Sequence, residues 1–555
     1  MSRKDDSQLV FCPLGGVGEI GMNFALYGFG PAHSRTWMIV DCGVTFPDLT
    51  LPGVDLVLPD TRFIEEHLDK LAGIVITHAH EDHYGALLDL WPRLKAPVWM
   101  TPFAAGMLAS KREGEAGAPK VPVNIYKAGD RFSVGPFEIE AIAVTHSIPE
   151  PVSLAIRTAL GTLLHTGDWK IDPEPEIGPL TDEARFRAIG DEGVLAMMCD
   201  STNALREGES PSEMAVSRGL REVIEAAKHR VVVTTFSSNV GRIRSIAEAA
   251  RDAGRQVLVL GRSMHRVIAV AEELGYLEDL PPFLAESDYG YIPRENVVVL
   301  CTGSQGEGRA ALAKLARDEM RDIALAAGDT VVFSSRVIPG NETAILDIKN
   351  RLIDREISVI EDTDALIHVS GHPRRIELKQ MYEWVRPHIL VPVHGEAAHL
   401  AGQAELARQC GIPRPIQVRN GDMLLLAPGD PHIIDQVPFG RIFKDGKLIG
   451  TDEAVGVRDR RRLSFAGHVD VNVVLDDRYQ LEGDPDLVAI GLPSADERGE
   501  DLEDLMLEAA IGAVESIPRV RRKDLDLVSE AVRRAVRAAA NDAWGKKPIV
   551  TVFVT

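Results

Sequence analysis

Over roughly the first 170 residues, short apolar stretches are separated by Gly, Pro and Asp: NFALYGF, TWMIVDCG, AGIVITH, APVWMT, FEIEAIAVTH and TLLHTGD. Runs of this length, bounded by turn formers, predict a strand-rich domain with few helices, one of them following His83. From about Glu213 the texture changes. SRGLREVIEAAKH precedes RVVVTTF, IRSIAEAARDAG precedes RQVLVLG, and NVVVLC and DTVVFSS follow. Apolar strands alternating with amphipathic helices predict a parallel, doubly wound sheet. Between about residues 365 and 392 the earlier style returns in ALIHVSGH and ILVPVHGE. A charged stretch with breakers, GTDEAVGVRDRRR, then leads into strands (HVDVNVVL, DLVAIGL), two helices (EDLMLEAAIGAVESI, DLVSEAVRRAVRAAAND) and a last strand, PIVTVFVT. That final part reads as a small α/β module. There is no internal repeat and no low-complexity tract.

One glycine pattern invites a different reading. GGVGEIG carries GxGxxG at Gly16, Gly18 and Gly21, with Asp41 about 20 residues on, as in a dinucleotide-binding fingerprint. That fingerprint must open a helix. NFALYGFG follows instead, and it is a strand pattern, so the glycines are expected to form a turn.

Length and composition narrow the class. A chain of 555 residues has room for about three or four domains. Its 45% hydrophobic and 26% charged residues are ordinary for a globular protein. No apolar run approaches the roughly 18 residues of a membrane span, and MSRKDDSQLV has no signal-peptide core. Five scattered cysteines without CxxC spacing (Cys12, Cys42, Cys199, Cys301, Cys410) argue against a disulfide framework and for the cytoplasm. The formal charge of −22 argues against a generic basic nucleic-acid binder. It leaves room for a local positive groove, and an enzyme that holds divalent metals needs carboxylates.

The densest chemistry is in IVITHAHEDHYGAL. His78, His80, Asp82 and His83 fall within six positions directly after an apolar strand. Histidines at i and i+2 on an extended segment project to one side, and imidazole with carboxylate suits Zn²⁺, Mn²⁺ or Fe. His146 in AVTHSIPE, Asp168 in LLHTGDWK and His394 in LVPVHGE also follow apolar strands. Taken singly, each is an ordinary turn cap. Together the seven match a binuclear site: one divalent ion on His78, His80 and His146, a second on Asp82, His83 and His394, and Asp168 bridging, with a hydroxide between. Two such ions clamp the oxygens of an in-line phosphoryl displacement.

This set resembles the metallo-β-lactamase superfamily. The resemblance implies an αββα sandwich, with Asp41 in VDCG as the strand-end aspartate that orients the ligands. The long interruption between Asp168 and His394 resembles the β-CASP branch, whose members act on nucleic acids. On that resemblance Asp200 in MCDST is the branch's additional acid and His372 in HVSGH its additional histidine. LGGVGEIGMN, THAHEDHYGAL, THSIPEP, TGDWKID, CDSTNA, TFSSN, TGSQGE, SGHP and VPVHGE are similar, in order, to landmarks of the bacterial ribonuclease J family. The similarity covers about the first 450 residues, and the final module has the family's position and size.

What the family resemblance implies is specific. The expected architecture is α/β, with a metallo-β-lactamase domain in two parts (1–208 and 367–450), an inserted β-CASP domain (209–366), a linker (451–461) and a C-terminal α/β domain (462–555). The expected activity is metal-dependent 5′-to-3′ exonucleolytic cleavage of single-stranded RNA, with some endonuclease activity, in RNA processing and mRNA decay. Asp82, Asp200 and His372 are the expected catalytic residues. Ser237, Ser238 and Asn239 of TFSSN and His368, Val369, Ser370, Gly371 and His372 of HVSGH are expected to bind nucleotide phosphates. TFSSN alone equally fits a helix N-cap. Two Zn or Mn ions per subunit, a homodimer or homotetramer, and contact with RNA-degradation machinery complete the expectation. TGSQGEG lacks GK[ST] and is no triphosphate loop. The arginines of GRIRS and GRSMHR are candidates for RNA-backbone contact, and DRRR reads as a solvated linker. Two other functions fit parts of the pattern: a lactonase-like small-molecule hydrolase on the same metals, and a catalytically idle RNA-binding scaffold. The inserted domain weighs against the first, and the intact ligand set against the second.

Overall fold

In the strand Gly161–His165 consecutive leucines face opposite ways, as the two-residue period of a strand requires. Leu163 enters a core between two sheets, and Leu164 a layer under helices. Met198 and Met197 repeat the pattern, as do Val391 and Leu390. Such double burial explains why these strands read as continuous apolar runs. The computed structural model describes residues 6–338 and 340–555. They divide into two units: Met1–Thr45 with Val57–Arg441, and Phe46–Leu56 with Ile442–Thr555.

The first unit is built on an eight-stranded and a seven-stranded sheet. Phe11, Tyr27, Val40 and Leu424 of one meet Ile139, Leu154, Met198 and Val391 of the other. Burying each such side chain contributes about 1.5–3 kcal/mol. On the outer face of the seven-stranded sheet lie the helices Glu183–Glu192, Arg375–Val385 and Ala397–Gln409, through Phe186, Ile189, Leu378, Trp384 and Leu406. The glycine-rich segment is a turn. Gly16, Gly18 and Gly21 all have positive φ (80°, 80° and 97°), and the strand Phe24–Pro31 follows.

Between Asp200 and Arg375 the chain builds the inserted domain. Its five strands are all parallel, in the order Gln256–Leu260, Val297–Cys301, Val231–Thr234, Thr330–Phe333 and Ser358–Ile360. The expected helix–strand alternation is present, with helices at Glu213–Ala226 and Val240–Asp252. TGSQGEG is the turn between the strand ending at Cys301 and the helix Ala311–Ala316. ALIHVSGH forms no strand. Its backbone carbonyls are taken by side chains: Ile367 O by Arg242 Nη1 (3.0 Å) and Ser334 Oγ (2.7 Å), and Gly371 O by His146 Nδ1 (2.6 Å).

Arg242 of GRIRS is turned into the protein, away from any RNA backbone. Arg242 is fully buried; its Nη2 donates to Glu213 Oε2 (2.7 Å) and its Nη1 to Ser334 Oγ (2.6 Å). Glu213 also faces Lys170 Nζ (3.5 Å), which pairs with Asp172 (2.8 Å). Arg244 donates to Tyr276 O (3.2 Å) and pairs with Glu248 (3.0 Å). The network ties the helices Glu213–Ala226 and Val240–Asp252 to the segment after Asp168 and to the one that leads to His372.

In the second unit, the strand His468–Val473 pairs antiparallel with Asp486–Ile490 and parallel with Ile549–Val554. Val469, Val471 and Val473 turn inward against the helices Leu502–Ser516 and Leu525–Trp544. Val528, Val532, Val536 and Ala540, four residues apart, supply the facing stripe. The DRRR run, expected as a solvated linker, lies in a helix, Val457–Ala466, with Asp459, Arg461 and Arg462 exposed. Arg460 there donates to Asp445 and to the carbonyl of Val455, so the run is anchored.

Arg242→Met is expected to lower the stability of the first unit by about 3–5 kcal/mol, because it leaves buried Glu213 and Asp172 to share the one positive charge of Lys170. Denaturant unfolding followed by hydrogen exchange in 213–250 checks this.

Candidate metal centre

Parallel strands deliver their C-terminal ends to one edge, and that is how ligands far apart in sequence meet. Thr36–Val40 runs parallel to Leu71–Val75, which places Asp41 beside the His78–His83 segment. Gly161–His165, Ala196–Asp200 and Ile389–Val393 are mutually parallel and end at Asp168, Asp200 and His394. His146 follows Phe137–Ala143. All seven sequence-predicted ligands converge, in two groups that share Asp168. One holds His78, His80, His146 and Asp168, the other Asp82, His83, Asp168 and His394, with ligand atoms in each within 4.8 Å of one another.

Asp168 is the hub. Its Oδ2 lies 3.2 Å from His83 Nε2, 3.7 Å from His146 Nε2 and 3.8 Å from His78 Nε2; its Oδ1 lies 3.8 Å from His394 Nδ1. Burial works against its charge, yet the surrounding histidines, His394 and His83 foremost, hold the carboxyl well below its usual range. Oδ1 is buried without a hydrogen-bond partner.

The donor set fits a cation better than it fits itself. His80 Nδ1 stands 3.1 Å from both His78 Nε2 and His146 Nε2. Since His146 Nδ1 donates to Gly371 O, its Nε2 presents a lone pair in the neutral ring. Burial pushes His78 and His146 well below the usual imidazole range and His80 down to about 4, so all three are neutral, the form that binds metal. Nitrogens 2.0–2.1 Å from a tetrahedral zinc ion stand about 3.3 Å apart, close to the spacing found here.

Around the ligands is an orienting layer. His83 Nδ1 donates to Asp41 Oδ2 (2.7 Å), while Asp41 Oδ1 accepts from the Thr77 backbone N–H (2.8 Å). His394 Nδ1 lies 2.7 Å from Thr202 Oγ1, and its Nε2 lies 3.1 Å from Asp82 Oδ2. Asn23 Nδ2 donates to Asp82 O (3.0 Å). Asp41 and His394 have φ of 65° and 52°. Non-glycine residues there store about 1–3 kcal/mol each, a cost common at functional sites. Thr202 and Asn23 were not singled out from the sequence, although both sit inside quoted motifs, CDSTNA and GEIGMN.

The remaining candidates divide. His372 Nδ1 lies 2.8 Å from Asp200 Oδ2 and 3.9 Å from Asp168 Oδ2, and the pair joins Asp168 and His394 in a third ligand-capable group. Within HVSGH, Val369 is buried, Ser370 Oγ accepts from Asn203 Nδ2 (2.9 Å), and Gly371 presents its carbonyl to His146. Gly371 therefore orients a ligand of the metal centre. Asn239 caps the helix Val240–Asp252 with its Oδ1, accepting Arg242 N–H at 2.9 Å, and Ser237 and Ser238 lie half-buried just before it. A narrow cleft with a cavity volume of about 20 Å³ runs from His146 and Ser147 past Glu176 to Asn239 and Gly241, connecting this loop to the metal edge. A second, also of about 20 Å³, is lined by Asn23, Asp41, His83, Asp168 and His394.

Two glycines hold the ligands by having no side chain. A Cβ on Gly43 would stand 1.7 Å from Asp82 O, and one on Gly371 2.6 Å from the His146 ring. Gly371→Ala is expected to displace His146 and lower bound metal per chain, read by elemental analysis of the purified variant. Asp41→Asn, which removes the charged acceptor of His83, is expected to weaken metal affinity about 10–100-fold in a chelator competition.

Comparison with known proteins agrees with this geometry. Residues 36–189 match a beta-lactamase superfamily domain, 228–352 the ribonuclease J beta-CASP domain, 356–416 a Zn-dependent metallo-hydrolase RNA specificity domain, and 455–555 the ribonuclease J C-terminal domain. The chain is 64% identical to a ribonuclease J of Sinorhizobium meliloti, over 99% of this chain and 98% of that one. It is 38% identical to a ribonuclease J of Mycolicibacterium smegmatis (98% and 96%) and 36% identical to one of Corynebacterium glutamicum (97% and 74%). A crystal structure of a protein of unknown function from Enterococcus faecalis shares the fold at 14% identity, with a TM-score of 0.52 over 75% of this chain and all of that one. The chain is a metal-dependent ribonuclease and belongs to the ribonuclease J family.

Proposed function

We propose that the enzyme holds two divalent ions, Zn or Mn, and degrades single-stranded RNA from its 5′ end, preferring a 5′-monophosphate, with a secondary endonuclease activity. The observation that carries the reading is the convergence of seven ligands on Asp168, next to a cleft that runs into an inserted domain. His78, His80 and His146 would hold one ion, and Asp82, His83 and His394 the other, with Asp168 between. When bound, two such ions activate a water and neutralise charge on the phosphoryl oxygens.

The chain's own residues supply the rest. Asp200 fixes the His372 ring through Nδ1, which leaves its other nitrogen free to give a proton to the departing oxygen. Asp41 holds His83 in the tautomer that offers Nε2 to the centre. The half-buried hydroxyls of Ser237 and Ser238, at the start of a helix of thirteen residues, suit a terminal phosphate, and so does the backbone of HVSGH. A pocket sized for one phosphate discriminates against three. By its likeness to the family, the enzyme would work in the cytoplasm as a homodimer or homotetramer, in rRNA processing and mRNA decay alongside other RNA-degrading proteins.

With Mn²⁺ or Zn²⁺, the purified protein is expected to release mononucleotides from 5′-monophosphorylated RNA faster than from triphosphorylated RNA. Chelator, or His80→Ala, is expected to cut the rate at least about 100-fold. Undiminished cleavage in either case would remove the metal mechanism, and mononucleotides released first from the 3′ end would reverse the polarity.

A further inference from the structure

Beside His368, at the edge of the inserted domain, lie two arginines that none of these roles absorbs. Arg336 lies just beyond the strand Thr330–Phe333, and Arg374 sits two residues past His372, at the head of the helix Arg375–Val385. His368 lies four residues before His372 in the same segment. All three are partly buried. The Nε of Arg374 and the Nδ1 of His368 are buried with no hydrogen-bond partner. No carboxylate comes within 4.0 Å of the Arg336 or Arg374 guanidinium among the described residues, although most buried arginines of this domain are paired, as Arg230 is with Asp329 and Arg242 with Glu213.

The local field is positive in a chain whose formal charge is −22. Burial lowers the affinity of Arg336 for its proton; Asp362 opposes that, and Arg374 adds to it. Around His368, burial acts first, then Arg242, Arg336 and Lys170, with Glu213 as the counterweight; the ring is pushed down to about 3 and stays neutral. The backbones are fixed. Gln305 of TGSQGEG donates its Nε2 to Arg336 O (2.8 Å) and accepts from Ile338 N–H (2.9 Å), and Arg374 N–H donates to Glu377 Oε2 (2.9 Å). Ser334 Oγ donates to Ile367 O (2.7 Å), which holds the segment that carries Arg336 against the one that carries His368 and Arg374. Guanidinium groups with no paired carboxylate can take an anion, and their planar forks match phosphate oxygens. Four residues span at most about 14 Å, so an anion at His368 and the phosphate at His372 can belong to one strand.

We propose that Arg336 and Arg374, with His368, form an anion subsite that takes a backbone phosphate of the RNA strand, separate from the phosphate at the metal centre. The proposal rests on RNA being the substrate. A terminal 5′-phosphate offers the same chemistry, and the test separates the two.

Binding of labelled single-stranded oligoribonucleotides with a 5′-hydroxyl or a 5′-monophosphate is measured over a salt series, with chelator present to keep the RNA intact. For the double variant Arg336→Gln/Arg374→Gln we expect affinity for both oligonucleotides to fall about tenfold or more, and the salt slope to drop by about 1.4, near 0.7 per lost contact. Arg336→Lys/Arg374→Lys is expected to keep the slope, and the exposed-charge control Arg251→Gln to keep both affinity and slope. Unchanged affinity in the glutamine variant overturns the proposal. So does a loss confined to the 5′-phosphorylated oligonucleotide, which assigns the arginines to the terminal pocket. A slope lost equally in the lysine variant also overturns it, because that marks a distorted segment in place of a lost charge. The two readings fail separately: wild-type protein that binds RNA but releases no 5′ mononucleotides once metal is restored refutes the exonuclease reading and leaves the subsite intact.

Discussion

A buried carboxylate among five histidines sets the terms for the rest of the first unit. Asp168 is within 4.0 Å of His78, His83, His146, His372 and His394, and one of its oxygens has no hydrogen-bond partner. An uncompensated carboxylate at that depth is costly. Positive charge taken up by His83 and His394 offsets that cost, and divalent cations held by the same residues would do the same. Much of the surrounding order follows from that need: the strained backbone at Asp41 and His394, glycines where a Cβ would strike a ligand, and Asp41 and Thr202 each spent on turning one ring.

The inserted domain meets this centre through few, heavily committed groups. Arg242 reaches from a helix of the insert to the carbonyl of Ile367, five residues before His372, while Lys170, two residues after Asp168, faces the same Glu213. The segment after Asp168 and the segment that leads to His372 thus share one buried ionic network.

The ligands were legible in the sequence because each follows an apolar strand, and strands in parallel register must end together. HxHxDH, TGD and VHGE carry that signal locally. The strands of the insert and of the last module were legible for the same reason, their periodicity being short-range. ALIHVSGH misled because its apolar residues are buried by tertiary contacts, with side chains such as Arg242 and His146 taking the carbonyls that a neighbouring strand would have taken. DRRR is solvated at Asp459, Arg461 and Arg462 as read, but it is helical because charge alone does not oppose a helix, and Arg460 found internal acceptors. Asn23 and Thr202 lay inside quoted motifs but were not singled out, because an amide and a hydroxyl become orienting groups only when a partner is folded against them. The role of Gly371 belongs to its carbonyl, which no side-chain pattern encodes.

The contact between His394 and Asp82 joins residues 312 positions apart. At about 5–20 residues per second, ribosomal synthesis takes roughly 15–60 seconds to cover that interval. For that period an emerging chain already displays the His78–His83 cluster but has no His394, and the insert must be made before the strand Ile389–Val393 can dock. The order of the chain thus keeps a growing polypeptide, still tethered beside messenger RNA, without the residue that closes its second ligand group. Completion of the nuclease is timed by translation itself.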